Sequence, residues 1–91
     1  MKSILQNEKQ CFLCGCRNLI EDHHIFGGAN RKLSEKYGLK VYLCHYCHNE
    51  PPNGVHFNKE RNRQLQAQAQ EAFEKLYSHD EFMRIFGRNY L

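Results

Sequence analysis

Two Cys-x-x-Cys pairs, Cys11-Phe12-Leu13-Cys14 and Cys44-His45-Tyr46-Cys47, dominate what a chain of 91 residues can fold into. Each pair can present two thiolates from one tight turn, and together they complete the tetrahedral sphere that zinc takes at structural sites. A chain this short buries too little surface to divide between two stable units, so one domain, 1–91, is expected. Below about 70–80 residues an apolar core rarely supplies more than ~3–5 kcal/mol, and this chain is only slightly longer, so a staple is expected as well. The plainer alternative is a set of buried free cysteines. The fifth cysteine, Cys16, either replaces Cys14 or stays unliganded, and the better-attested Cys-x-x-Cys spacing favours the second. Four thiolates leave zinc no open position, so this site explains a fold and any chemistry lies elsewhere.

After Ile4 and Leu5 the N-terminus turns polar, which gives no apolar stretch resembling a signal peptide, and a cytoplasmic location is expected. Reduced cysteines in that compartment read as metal ligands before disulfides. No run approaches membrane-spanning length. At 41% hydrophobic and 25% charged, the composition excludes a disordered chain. The formal charge of +3 is compatible with nucleic acid without pointing to it.

Residues 18–26 carry apolar positions ending at Gly27-Gly28-Ala29-Asn30, which predicts a strand and a turn. Residues 31–37 are polar and charged, and Leu39-Lys40-Val41-Tyr42-Leu43 alternates as a half-buried strand that delivers the chain to Cys44. Pro51-Pro52-Asn53-Gly54 is a loop. Leu65, Ala69, Ala72, Phe73, Leu76 and Tyr77 form the stripe of an amphipathic helix capped by Asn58. Ser78-His79-Asp80-Glu81 has capping-box spacing, and Phe82, Ile85 and Phe86 before Gly87 predict a second, short helix. The fold class expected is α+β, stapled by zinc, with C-terminal helices.

Four of the six histidines, His23, His24, His48 and His56, lie beside the knuckles or in loops. Imidazole serves as a metal ligand or as a base near neutral pH, and phosphodiester cleavage uses both functions. Adjacent residues of a strand face opposite ways, so His23 and His24 share one centre only if the backbone bends; on the same ground Asp22 is an alternative ligand to His23. His45 and His79 read as surface residues, His45 within reach of a backbone phosphate and His79 in the capping turn.

Cys11-x-x-Cys14, then Glu21-Asp22-His23-His24-Ile25, then Leu43-Cys44-His45-Tyr46-Cys47-His48-Asn49 resemble the HNH nucleases of the His-Me finger family, with their ββα-metal core. The likeness spans about residues 11–58, leaving about 58–91 as a helical extension. Residues 30–39 together with Gly54-Val55-His56-Phe57-Asn58-Lys59 are similar to small HNH-type proteins of phages and prophages. The resemblance implies a structural Zn2+ and a catalytic divalent metal, Mg2+, Mn2+, Ni2+ or Zn2+. It makes His23 and His48 metal ligands and His24 the general base, with His23, His24 and His48 forming the catalytic set. Two departures stand out. Gly38 occupies the position of the family's usual asparagine, for which either Asn30 substitutes or nothing does. Pro51-Pro52-Asn53-Gly54 separates the second knuckle from the final helix, which leaves the third ligand open, with His56 the candidate.

The implied activity is hydrolysis of phosphodiester bonds, with DNA expected as substrate ahead of RNA. Arg31, Lys32, Lys36 and Lys40, with Lys59, Arg61 and Arg63, are candidate phosphate contacts; each reads equally well as a solvated charge. A homodimer or a partner in phage DNA processing is open, and no membrane is implied. The rival function is a non-catalytic zinc module that binds nucleic acid or a partner protein. Thiol redox chemistry on Cys-x-x-Cys is weaker, because the two pairs suit one ion and no βαβ context surrounds them.

Overall fold

Two short segments form an antiparallel pair in the computed structural model, which describes residues 2–91. Strand β1, Ile20–His24, pairs with β2, Lys40–Cys44, in continuous register from Ile20 opposite Cys44 to His24 opposite Lys40. No bulge interrupts it, so one face carries Glu21 and His23 over Leu43 and Val41, and the other carries Ile20, Asp22 and His24. Four helices complete an α+β architecture: α1, Arg31–Tyr37; α2, His45–His48; α3, Lys59–Leu76; and α4, His79–Phe86.

The sequence left residues 31–37 without an element, and they form α1. The segment is too short and polar for a periodic signal, and its anchor is one serine. Fully buried Ser34 donates from Oγ to the Phe26 carbonyl at 2.8 Å and accepts from the Phe26 N–H at 3.0 Å. Ser34→Ala strands both backbone groups in the core, where each unmade bond costs about 1–3 kcal/mol. A fall in stability of that order in denaturant melts of the zinc-loaded chain is expected; a change below about 0.5 kcal/mol, ordinary for a surface position, would contradict this account. Helix α1 ends at Gly38 with φ +70°, where a Cβ would collide with the Lys2 carbonyl. The left-handed turn and the nearby Lys2 carbonyl therefore require glycine at position 38.

Helix α3 starts as expected, with Asn58 accepting from the Arg61 N–H at 3.0 Å, and Leu65, Ala69 and Phe73 are buried from it. The predicted stripe runs too far: Leu76 is exposed, and Tyr77 lies beyond the helix end, its ring tilted against that of Phe73. Gln70 takes a core position instead, its amide satisfied by Glu74, Asn89 and the Tyr90 N–H. Ser78 caps α4 by accepting from the Glu81 N–H, while the Glu81 carboxylate turns to Arg84 rather than closing the box. Phe82 and Phe86 of α4 join Phe26 and Phe73 in one aromatic cluster. No helix among the described residues is long and apolar enough to cross a membrane.

Candidate metal centres

The knuckles meet. The sulfurs of Cys11, Cys14, Cys44 and Cys47 all lie within 4.8 Å of one another, and none is in a disulfide. Cys14 and Cys44 Sγ are 3.6 Å apart, close to the roughly 3.8 Å edge of a tetrahedron with 2.3 Å zinc–sulfur bonds. Local backbone builds the first pair: the Gly15 N–H donates to the Cys11 carbonyl at 2.8 Å, Gly15 turns at φ +80°, and the Cys14 N–H points at Cys11 Sγ. The second pair straddles the junction of β2 and α2, Cys44 ending the strand and Cys47 lying in the helix. Burial pushes the Cys11 thiol up, but backbone N–H groups of Cys44, Cys14 and Leu13 outweigh it and hold Cys11 down to about 6. Burial, and then the neighbouring Cys11 and Cys44, push Cys47 up to about 12. Four thiols this close ionise together only around a cation, and the group is positioned to bind a metal such as zinc. Cys16 stays outside it; its sulfur accepts from the Asn18 N–H and its carbonyl receives the Cys11 N–H.

A second group lies on the His23 face of the sheet. Ring nitrogens of His23, His48 and His56 also lie within 4.8 Å of one another. His23 comes from β1 and His48 from the last position of α2. His56 arrives through the loop that seemed to separate it. The Val55 N–H donates to the Cys47 carbonyl and the His56 N–H to the His48 carbonyl, at 2.8 and 3.3 Å. Gly54 makes the return tight enough, since a Cβ there would lie 2.7 Å from the Glu50 nitrogen. As a result, His56 and His48 Nε2 are 3.0 Å apart.

His23 is 5% exposed, and its Nε2 is a buried polar atom with no hydrogen-bond partner. Burial, then the nearby rings of His48, His56 and His24, lower its pKa to about 3. A neutral imidazole whose buried Nε2 has no partner, facing two further imidazoles, fits a divalent cation as its missing partner. Burial likewise lowers His56, with His48 contributing.

His24, as strand alternation requires, faces away from this trio. Its Nε2 donates to Glu35 Oε1 at 3.2 Å, and among the described residues nothing hydrogen-bonds its Nδ1. The Glu35 carboxyl is held well below the usual range, first by Lys40 and also by His24. Asp22 is exposed on the same side as His24, so His23 rather than Asp22 belongs with His48 and His56.

The sequence reading missed Glu21. Its Oε1 accepts from His48 Nδ1 at 2.7 Å and from Asn49 Nδ2 at 3.0 Å. These contacts, led by His48, keep Glu21 more acidic than usual. The only sequence signal was its position two residues before His23, on the same strand face. His45 is not a free surface residue: it reaches Glu21 at 3.3 Å and Glu50 at 3.0 Å, and those carboxylates raise its pKa. His79 pairs with Glu74 at 2.7 Å. Of the candidate phosphate contacts, Arg31, Lys32 and Lys36 are exposed on α1, whereas Lys40 is paired with Glu35 at 2.6 Å.

Comparison with known proteins gave no match: no family model fits the chain, and neither curated proteins nor solved structures yielded a similar one.

Proposed function

We propose that this chain is a metal-dependent endonuclease of the HNH type, hydrolysing phosphodiester bonds of DNA in connection with phage DNA processing. The observation that carries the reading is the convergence of His23, His48 and His56 around the partnerless Nε2 of His23. Three imidazoles leave a tetrahedral ion an open position, as catalytic sites do and the four-thiolate group does not. The order of the elements agrees with a ββα-metal core: two antiparallel strands contribute His23, and His56 leads into α3.

On this reading a divalent ion, when bound, stabilises negative charge on the phosphate and the leaving oxygen. The chain's own residues do the rest. His24 takes a proton from water through Nδ1 as the water oxygen attacks phosphorus in line and the bond to the leaving oxygen breaks; because His23 and His24 face opposite sides of the sheet, this step requires the phosphate to reach round the end of β1. Glu35 supports the base by holding Nε2 protonated, which leaves Nδ1 as the acceptor. Arg31, Lys32 and Lys36 supply phosphate contacts on α1, which make binding salt-dependent and carry little sequence preference.

The test is nicking of supercoiled plasmid by zinc-loaded chain with magnesium, manganese, nickel or added zinc, beside identically purified His24→Ala. Loss of the base is expected to slow nicking about 10²–10⁴-fold. Equal cleavage by the variant would remove His24 from the mechanism. Absence of cleavage with every metal would turn the reading to a zinc module that binds nucleic acid or a partner protein, for which the separation of His24 from the trio is the supporting observation.

A further inference from the structure

We infer that Glu21 is the positioning residue of the three-histidine centre, fixing the tautomer and ring orientation of His48; this rests on the reading of His23, His48 and His56 as a metal site. The contacts come from chain segments far apart in sequence. Glu21 lies on β1, two residues before His23 and on the same face, while His48 ends α2. An ionised carboxylate only accepts, so its 2.7 Å contact places the proton on His48 Nδ1 and leaves Nε2 with a lone pair. That Nε2 is the atom 3.0 Å from His56 Nε2. One residue therefore decides which nitrogen of His48 the centre receives.

The carboxylate is itself held. Asn49 donates to the same oxygen that receives His48, and His45 Nδ1 approaches the other oxygen at 3.3 Å. The far nitrogen of His45 reaches Glu50 at 3.0 Å, and the Glu50 carbonyl accepts the Gly54 N–H of the loop that returns His56. A continuous set of hydrogen bonds thus ties the strand bearing His23, the helix bearing His48 and the loop bearing His56. Outer partners of this kind typically set metal affinity by 10–100-fold.

The experiment is titration of the zinc-loaded chain with Co2+, followed by the cobalt d–d spectrum, for native protein, Glu21→Ala and Glu21→Gln. Circular dichroism and retained zinc serve as the check on folding. The native chain is expected to take one further ion, and Glu21→Ala to bind it about 10–100-fold more weakly. Glu21→Gln keeps an acceptor but loses the charge, which roughly halves the strength of the bond, so a smaller measurable loss is expected. Imidazole 15N shifts without cobalt should place the His48 proton on Nδ1 in native protein and divide it between both nitrogens in Glu21→Ala. Native binding with an unchanged Glu21→Ala affinity would overturn the positioning role and leave the metal site standing. Failure of the native chain to bind a further ion would overturn both. If Glu21→Ala does not fold, Glu21→Gln decides, and an affinity equal to native counts against the inference.

Discussion

If zinc binds at Cys11, Cys14, Cys44 and Cys47, which are positioned to hold a metal, its chelation is expected to unfold the chain cooperatively. These four residues join the N-terminal segment to the end of β2 and to α2. Cys11 and Cys14 belong to the N-terminal segment, whose Phe12 N–H donates to the Tyr42 carbonyl along β2. Cys44 closes β2 and Cys47 lies in α2, a helix of four residues that has no means of standing alone. Structural zinc contributes about 10–16 kcal/mol in small domains, as much as or more than the roughly 5–15 kcal/mol by which a whole domain is stable. Ellipticity at 222 nm should therefore fall together with zinc release, and Cys44→Ser should reproduce the loss in the presence of zinc. Protons compete for the thiolates, so the chelator concentration needed should fall as pH is lowered. A metal-free chain that keeps its full helical signal would mean that Phe26, Phe73, Phe82 and Phe86 hold α3 and α4 in place without the staple.

What could be read in advance divides by the kind of physics involved. The knuckles, the caps at Asn58 and Ser78 and the apolar spacing of α3 as far as Phe73 are local patterns, and they appear where the chain places them. The opposite facing of His23 and His24 is also local, because alternation follows from an unbroken strand. Helix α1 was not legible: its support is a serine bonding a backbone eight residues away, which leaves no periodicity. Gln70 in the core was hidden for a related reason, since its burial depends on Asn89 and Tyr90 returning past it. Glu21 and the arrival of His56 are tertiary facts of the same kind. The loop 51–54 read as a separator, and backbone bonds from Val55 and His56 to the knuckle helix make it a return.

In the zinc-loaded chain, His48→Ala is expected to abolish binding of the further divalent ion and reduce nicking to background, a deeper loss than His24→Ala. The three rings are mutually close, with centroids 5.0 Å apart for His23 and His48, 4.7 Å for His48 and His56, and 5.2 Å for His23 and His56. Removal of His48 leaves two imidazoles and takes away the group through which Glu21 acts, so the affinity loss should exceed the roughly 10–100-fold attached to an outer partner. The zinc at the cysteines should remain, because His48 lies outside that group, and unchanged ellipticity would show that the effect is local. Proton competition supplies an independent check. Burial holds His23 neutral down to about 3, while protons compete in general with a metal for imidazole nitrogens. Affinity for cobalt should accordingly weaken as pH falls, while the buried Nε2 of His23 remains available throughout. Native-like cobalt binding by His48→Ala would place the ion elsewhere, and the unpaired nitrogen of His23 would then need another partner.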